Sequence, residues 1–487
     1  MTQTQVEPGG LAVELNGINV IAENERKGKP SNLFWPWFGA NVSVLAIAYG
    51  SYVVGFGVSF WQATLAGVIG VVLSFALCGV VALAGKRGSA PTMVLSRAAF
   101  GVNGNALPSA LSWILLVGWE TVLVSLSSLA TATVFHELGW GGGNATKVLG
   151  FVVTAVLVVG AGVLGFDVIM RLQTWITYAT IVLTIGFVAL TLDEVHWSTV
   201  SVAKSGSLQA FIGALALVTT GFGVGWANTA ADYSRYLPRQ SSSKGVFGWT
   251  TIGGAAAPVV LIVFGIALAL SSPDLSGKIS ADPIGALTTL LPTWYLVPFA
   301  IVAVLGLVGG AVLDIYSSGL ALLTLGLKVR RPVAAGVDGV VMVMGAIYVV
   351  FIADNFLGPF QAFLITVGVP IAAWAGVFVA DLALRRRDYA DTELYDARGR
   401  YGAIGWVAVL TLVVGTVLGW GLVVTTSPGT SWLSWQGYLL EPFGMGSKVN
   451  GAWVYANVGV FVAFAVGLLG WLLLGRSAVA RQEAAKP

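Results

Sequence analysis

Two acidic residues lie where carboxylates are rare, in the middle of long apolar runs. They are Glu120, in Leu116-Val117-Gly118-Trp119-Glu120-Thr121, and Asp314, in Gly310-Ala311-Val312-Leu313-Asp314-Ile315. A carboxylate at the centre of a bilayer costs about 2.5–3.5 kcal/mol on an insertion scale, so it normally faces the interior of a helix bundle and has a task there. An ionised carboxyl only accepts hydrogen bonds, whereas the protonated form also donates one, so either residue can bind a polar solute or carry a proton. Beside Glu120 stands Trp119, and a glycine-rich run supplies Phe222 and Trp226. Aromatic faces at that depth make a slot for a flat ring, and stacking one ring on such a face is worth about 1–3 kcal/mol. The plainer alternatives are a hydrogen-bonded packing acid and simple aromatic core packing.

The run that holds these aromatics is Thr219-Thr220-Gly221-Phe222-Gly223-Val224-Gly225-Trp226-Ala227-Asn228. Glycine costs a helix about 1 kcal/mol relative to alanine, and three of them fall within five residues here. A second interrupted run is Gly39-Ala40-Asn41-Val42-Ser43, followed by Tyr49-Gly50-Ser51. Unwound backbone inside a bilayer is tolerated only where it is buried in protein or lines a cavity. Two such breaks in corresponding places of two halves point to the binding site of a carrier built from inverted repeats. Gly221 and Gly223 are therefore expected at that site. The alternative is that the glycines merely let helices pack closely.

Other chemistry is poorly represented. The only histidines, His136 and His196, have no Cys or His neighbour at metal-ligand spacing, and no GxxxxGK[ST] phosphate loop occurs. Neither enzymatic catalysis nor ATP drive is expected, which leaves an ion gradient as the source of energy. No cofactor is expected.

The elements that must hold these residues follow from composition. Of 487 residues 56% are hydrophobic and 10% charged, and mean hydropathy is +0.85. Soluble domains carry about 25% charged residues, so this is an all-α polytopic membrane protein surrounded by lipid. Residues 31–85 hold no formal charge at all, enough for two crossings of about 20 residues each. Charge punctuation and Gly/Pro clusters divide the chain into twelve spans, at about 34–58, 60–84, 106–135, 148–166, 172–192, 208–232, 246–271, 296–325, 333–353, 358–384, 403–425 and 452–474.

With both termini in the cytoplasm, all but four of the 25 lysines and arginines fall on the cytoplasmic side, the exceptions being Lys147, Lys204, Lys278 and Lys448. That asymmetry is what the positive-inside rule requires. The clusters Lys86-Arg87, Lys328 to Arg331 and Arg385-Arg386-Arg387 then set topology rather than bind ligand, and the net charge of +3 gives no case for nucleic acid. The expected organisation is a cytoplasmic tail at 1–33, a ten-helix core at 34–384, a charged cytoplasmic loop at 385–402, two further helices at 403–475 and a cytoplasmic tail at 476–487. Trp35, Trp37, Trp61, Trp432 and Trp435 fall near expected interfaces, where aromatic belts form.

Four stretches resemble the nucleobase–cation symporter-1 family, the cytosine/purine permeases. They are Asn32-Leu33-Phe34-Trp35-Pro36-Trp37-Phe38-Gly39-Ala40-Asn41; Lys86-Arg87-Gly88-Ser89-Ala90-Pro91 with Ser96-Arg97-Ala98-Ala99-Phe100-Gly101; Gly225-Trp226-Ala227-Asn228-Thr229-Ala230-Ala231-Asp232-Tyr233-Ser234-Arg235-Tyr236-Leu237-Pro238; and Gly376-Val377-Phe378-Val379-Ala380-Asp381 before the triple arginine. The resemblance runs from about 30 to 475. It implies a LeuT-like five-plus-five inverted-repeat core with broken helices 1 and 6, followed by two extra helices. The implied activity is cation-coupled import of a nucleobase or related heterocycle across the cytoplasmic membrane. By the same resemblance Trp119 stacks on the ring, opposed by Phe222 or Trp226, with Asn41 or Ser43 on helix 1 and Asp314 on helix 8 contributing polar contacts.

Two departures stand out. Asp314 replaces the usual asparagine, and Leu123 stands one turn after Trp119 where an amide is common. Val308 and Gly309 replace the hydroxyl residues that sodium-coupled relatives offer, so a proton carried by Asp314 or Glu120 is preferred to sodium as the coupling ion. A carrier of the same fold for an amino acid is the alternative; a receptor or intramembrane enzyme fits less well.

Overall fold

The computed structural model describes residues 13–14, 16–352, 357–425, 430–447 and 450–484. Lys448, one of the four basic residues expected outside, lies beyond the described residues, as do the outer parts of both expected tails. Every regular element among the described residues is helical. Among the described residues, nine single helices are long and apolar enough to cross a membrane, and two bent pairs pass the same test when each is taken together. They match the expected spans closely: Phe60–Gly88, Ala106–Glu137, Asn144–Leu164, Phe166–Thr191, Ser243–Ser271, Leu296–Leu325, Arg331–Phe351 and Leu357–Leu384 occupy the second, third, fourth, fifth, seventh, eighth, ninth and tenth places. The eleventh, Trp406–Trp420, is apolar but has only 15 residues, about 22 Å of helix against a hydrocarbon core of about 30 Å.

The first span is broken. Phe34–Asn41 starts with Pro36 in its first turn, where a missing N–H costs nothing. It stops at Val42, whose ψ of 80° leaves the helical region, and resumes as Leu45–Val54 at an angle of 64°. Ser43 Oγ accepts from the Leu45 N–H at 3.2 Å and so satisfies the first free N–H of the second half. Of the two interruptions expected in this span, only the first unwinds. Gly50 sits inside the second half and serves close packing: a Cβ there would lie 2.3 Å from the Ile266 nitrogen on the seventh span. The sixth span is also broken. Leu208–Thr219 passes into a widened turn at Thr220–Val224, where Phe222 takes φ −114° and ψ −111°, before short helices at Gly225–Ala227 and Ala230–Ser234.

The basic clusters act at one end of the bundle as structural fasteners. Arg87 donates to the carbonyls of Arg387 at 2.5 Å and Arg385 at 3.2 Å, and Lys86 donates to that of Ser241 at 2.8 Å. Arg331 caps the carbonyls of Gly162 and Val163, at 2.6 and 2.7 Å, where the fourth span ends. In the 385–402 loop, hydrogen bonds from Arg400 hold the Glu393 carboxyl below its usual range.

Two expectations need correction. Trp37 is no interface residue: it is fully buried, with its ring edge-on to Trp226 at 5.9 Å and to Tyr233 at 5.6 Å. Trp61, Trp432 and Trp435 are exposed, as an aromatic belt requires. The described part of the 1–33 segment is not a free tail. Ile21 is fully buried, and Glu14 bonds to the ends of several spans.

Candidate functional site

The two breaks meet across a cavity of about 50 Å³. The first span lines it with Asn41, Ser43 and Tyr49, the third with Trp119 and Leu123, the sixth with Gly221, Phe222 and Trp226, and the eighth with Gly306 and Gly310. Each aromatic wall is braced from behind. Trp119 stands edge-on to Phe360 with centroids 5.4 Å apart, Phe222 packs on Tyr49 at 4.8 Å, and Trp226 meets Trp37. Such bracing fixes ring orientation before a ligand arrives, which lowers the ordering cost of binding.

Gly306 leaves room on the eighth span for the unwound first span, and Gly310 for the Leu123 side chain of the third. A Cβ on Gly306 would meet the Val42 carbonyl oxygen at 2.9 Å, and one on Gly310 would meet Leu123 at 2.8 Å. Gly221 has a similar reason, since a Cβ there would fall 2.3 Å from the Tyr49 hydroxyl oxygen.

The polar atoms of the cavity are few. Asn41 spends one amide hydrogen on the Trp37 carbonyl at 2.8 Å, and Ser43 is engaged by the Leu45 N–H. The Tyr49 hydroxyl is buried and has no partner among the described residues. An unsatisfied buried hydroxyl is costly, so Tyr49 presents the ring site with a free donor and acceptor. None of the lining residues is charged. If Tyr49 reads the ligand, Tyr49→Phe should weaken binding by about 0.5–1.5 kcal/mol, roughly twofold to tenfold, with little effect on folding. Titration of purified wild-type and variant protein with the transported ring checks this, and equal affinities would remove Tyr49 from the site.

Six of the residues picked out in the sequence therefore come together: Asn41, Ser43, Trp119, Gly221, Phe222 and Trp226. Three do not reach the cavity. Gly223 packs against the second span, with its N–H donating to Ser74 Oγ and its carbonyl accepting from Cys78 Sγ, both at 3.0 Å. Asp314 lies one helical turn beyond Gly310 on the same face of the eighth span, buried, with Oδ2 unpartnered. Glu120 follows Trp119 but points away, into contact with Ser318. Tyr49, Gly306 and Gly310 are additions. Tyr49 stood in a stretch marked only as a possible break, and the two glycines had no signal beyond their spacing of four.

Beside the cavity, between the first and eighth spans, Gln173 of the fifth span is inserted. Its Nε2 donates to the Gly309 carbonyl at 2.6 Å. A Cβ on Gly39 would lie 2.3 Å from Gln173 Oε1, and one on Gly309 would lie 2.5 Å from the Gly39 carbonyl oxygen, so the two glycines let the first, fifth and eighth spans meet.

A family profile described as permease for cytosine/purines, uracil, thiamine and allantoin matches residues 20–440. YxlA of Bacillus subtilis (strain 168), which carries a purine-cytosine permease name, is 24% identical over 421 residues, covering 84% of this chain and 88% of YxlA. The purine-cytosine permease FCY21 of Saccharomyces cerevisiae is 26% identical over 301 residues, and the match takes in 57% of this chain and 53% of FCY21, about half that relative's length. Among solved structures, Mhp1, a nucleobase-cation-symport-1 family transporter in a closed conformation with bromovinylhydantoin bound, superposes with a TM-score of 0.71 at 18% identity, over 97% of this chain and 99% of Mhp1. A Na+-coupled sialic acid symporter gives 0.60 at 11% identity, over 93% and 90%. At these identities the likeness is one of fold.

Proposed function

Because the chain belongs to the family of permeases for cytosine/purines, uracil, thiamine and allantoin, we propose that it is a secondary active transporter importing a neutral nucleobase or closely related heterocycle, with the proton as coupling ion. The observation that carries this reading is the character of the cavity. Aromatic walls from two spans face a space with no charged lining residue, at the junction of two broken helices. A flat uncharged ring gains stacking there. An amino acid would bring an ammonium and a carboxylate into a site with no countercharge on a side chain, which is unfavourable in a buried setting. Leu123 makes part of the wall apolar, with no amide there to pair with the polar edge of cytosine, so the preferred ring need not be cytosine.

Proton coupling is supported by the surroundings of Gly309. Sodium needs several oxygen ligands, whereas Val308 and Gly309 carry no side-chain oxygen and the Gly309 carbonyl is taken by the Gln173 amide. Of the two buried acids Asp314 and Glu120, Glu120 is assigned to the proton. The basic clusters gathered with Glu14 at one end support a cytoplasmic location for both termini, in a plasma membrane. Twelve spans with a five-plus-five repeat remain the reading of the whole chain.

A competition screen tests the reading. Uptake of a labelled base into vesicles containing the protein should be suppressed by purines, cytosine or allantoin and not by amino acids. It should persist with choline in place of sodium and collapse with a protonophore. Suppression by amino acids alone would overturn the substrate class, and strict sodium dependence would overturn the coupling ion.

A further inference from the structure

On the side of the third span away from the ring cavity, four side chains form a buried polar group that the cavity does not use. The Ser318 hydroxyl lies 2.6 Å from Glu120 Oε1 and 2.9 Å from Asp338 Oδ2. Trp113 Nε1 donates to Asp338 Oδ1 at 2.5 Å. Glu120, Ser318 and Asp338 are all fully buried.

Counting hydrogens restricts this arrangement. A serine hydroxyl has one hydrogen to give and can accept others. It can satisfy Glu120 or Asp338 but not both, and its remaining neighbour is the Ile315 carbonyl at 3.3 Å. At least one of the two carboxyl contacts is therefore a hydrogen bond only if that carboxyl carries the hydrogen. A second observation points the same way. Glu120 Oε2 and Asp314 Oδ2 are buried and lack any hydrogen-bond partner among the described residues, and an ionised carboxylate oxygen would not be left so.

The wider surroundings bring no countercharge. The eighth span adds Asp314 and the sixth adds Tyr233, whose hydroxyl donates to the Leu313 carbonyl at 2.7 Å. Basic and acidic groups on the other packed elements are engaged elsewhere or lie at span ends. Arg331 is held by Glu14 and the fourth span, and Arg97 by the carbonyls of Leu394 and Thr324. Asp381 pairs with Arg385, and Lys147 stands in the first turn of the fourth span. Among the described residues no ion pair includes Glu120, Asp314 or Asp338.

We propose that Glu120 and Asp338 hold one exchangeable proton between them across Ser318, and that taking up and releasing this proton is the coupling reaction of the transporter. The second half of that statement rests on the transport reading above; the first does not. Geometry links the pair to the ring. Gly310 on the cavity wall, Asp314 and Ser318 follow one another at intervals of four along one face of the eighth span. Glu120 is adjacent in sequence to Trp119. With every member buried, the proton enters and leaves only when the third, eighth and ninth spans part, so occupancy favours one arrangement of those spans over the other.

Two measurements separate the two halves. The first needs no substrate: infrared difference spectra of the purified protein across a pH titration. One carboxylic-acid carbonyl band should be shifted or lost in Glu120→Gln and in Asp338→Asn alike, and shifted in Ser318→Ala. If both carboxyl variants leave every such band unchanged, no shared proton exists.

The second compares, in proteoliposomes, base accumulation driven by an imposed proton gradient with base exchange at equal pH, using a panel of labelled purines, cytosine and uracil. The ratio of accumulation to exchange should fall about tenfold or more in Asp338→Asn. A wild-type ratio in that variant would overturn the coupling role even if the infrared band is lost. Failure of the wild-type protein to move any base would overturn the transport reading and leave the infrared result standing.

Discussion

Replacing Trp119 by alanine is expected to weaken binding of the transported ring by about 1–3 kcal/mol, a loss of roughly fivefold to 150-fold. The expectation follows from how the side chain is held. Its ring is only 9% exposed, it is braced edge-on by Phe360, and a Cβ on Gly225 would lie 3.2 Å from its Nε1. Its ring lines the cavity, so truncation to alanine removes the stacking surface itself. Trp119→Phe keeps a smaller aromatic face and should retain much of the affinity. Equilibrium binding to purified protein, with the variant shown to reach the membrane, checks both. Wild-type affinity in the alanine variant would remove stacking on Trp119 from the account.

The second large effect is expected at Glu14, a residue that composition placed in a tail. Arg235 donates to Glu14 Oε1 at 3.1 Å and to the Gly17 carbonyl at 2.7 Å, and the hydroxyls of Tyr236 and Tyr316 donate to the same carboxyl. Arg331 lies 3.6 Å from Oε2, which also accepts from the Phe166 N–H at 2.8 Å. One carboxylate thus fastens the sixth, eighth, ninth and fifth spans together. Both arginines are buried, and removing one partner of a buried pair costs about 3–5 kcal/mol because the other charge is left unpaired. Parting the spans would hydrate those charges, so Glu14→Ala should shift the population toward arrangements in which this end of the bundle is open.

A cysteine placed by Ser317→Cys, in a protein whose only native cysteine is removed by Cys78→Ala, reports on that opening. Its labelling by a water-soluble maleimide should speed up tenfold or more when Glu14→Ala is added. An unchanged rate would show that the N-terminal segment fastens nothing.

Much of this organisation was legible in the sequence. Apolar runs and their charge punctuation placed the membrane helices to within a few residues, because lipid tolerates so few alternatives to an uninterrupted helix. The break in the sixth span was readable from three closely spaced glycines. The first span was harder: its two glycine-containing stretches look alike, yet Gly39 borders the break while Gly50 is a packing contact. Only the approach of Ile266 and Gly265 from another span tells them apart, and that is tertiary information.

The site was read with a similar division. Trp119, Phe222 and Trp226 announced themselves as aromatics too deep for an interface. Trp37 was misjudged because its position near a helix start mimics a belt residue, whereas the neighbouring Trp226 and Tyr233 enclose it. Asp338 was passed over because it lies about two turns from the arginines at the start of its span, where an acid usually needs no explanation. Its partners, Trp113, Ser318 and Glu120, come from two other helices. Glu120 itself was correctly found as a buried acid, but which neighbour it faces depends on rotation of the third span about its own axis, and no local pattern encodes that.

The most direct test is accumulation of one labelled ring by the purified protein in liposomes free of sodium, under an imposed inward proton gradient. The account predicts that a purine, cytosine or a closely related heterocycle concentrates inside, and that dissipating the gradient abolishes the accumulation. If no such ring moves faster than through empty liposomes while a charged amino acid does, the uncharged aromatic cavity is not a heterocycle site, and the account fails.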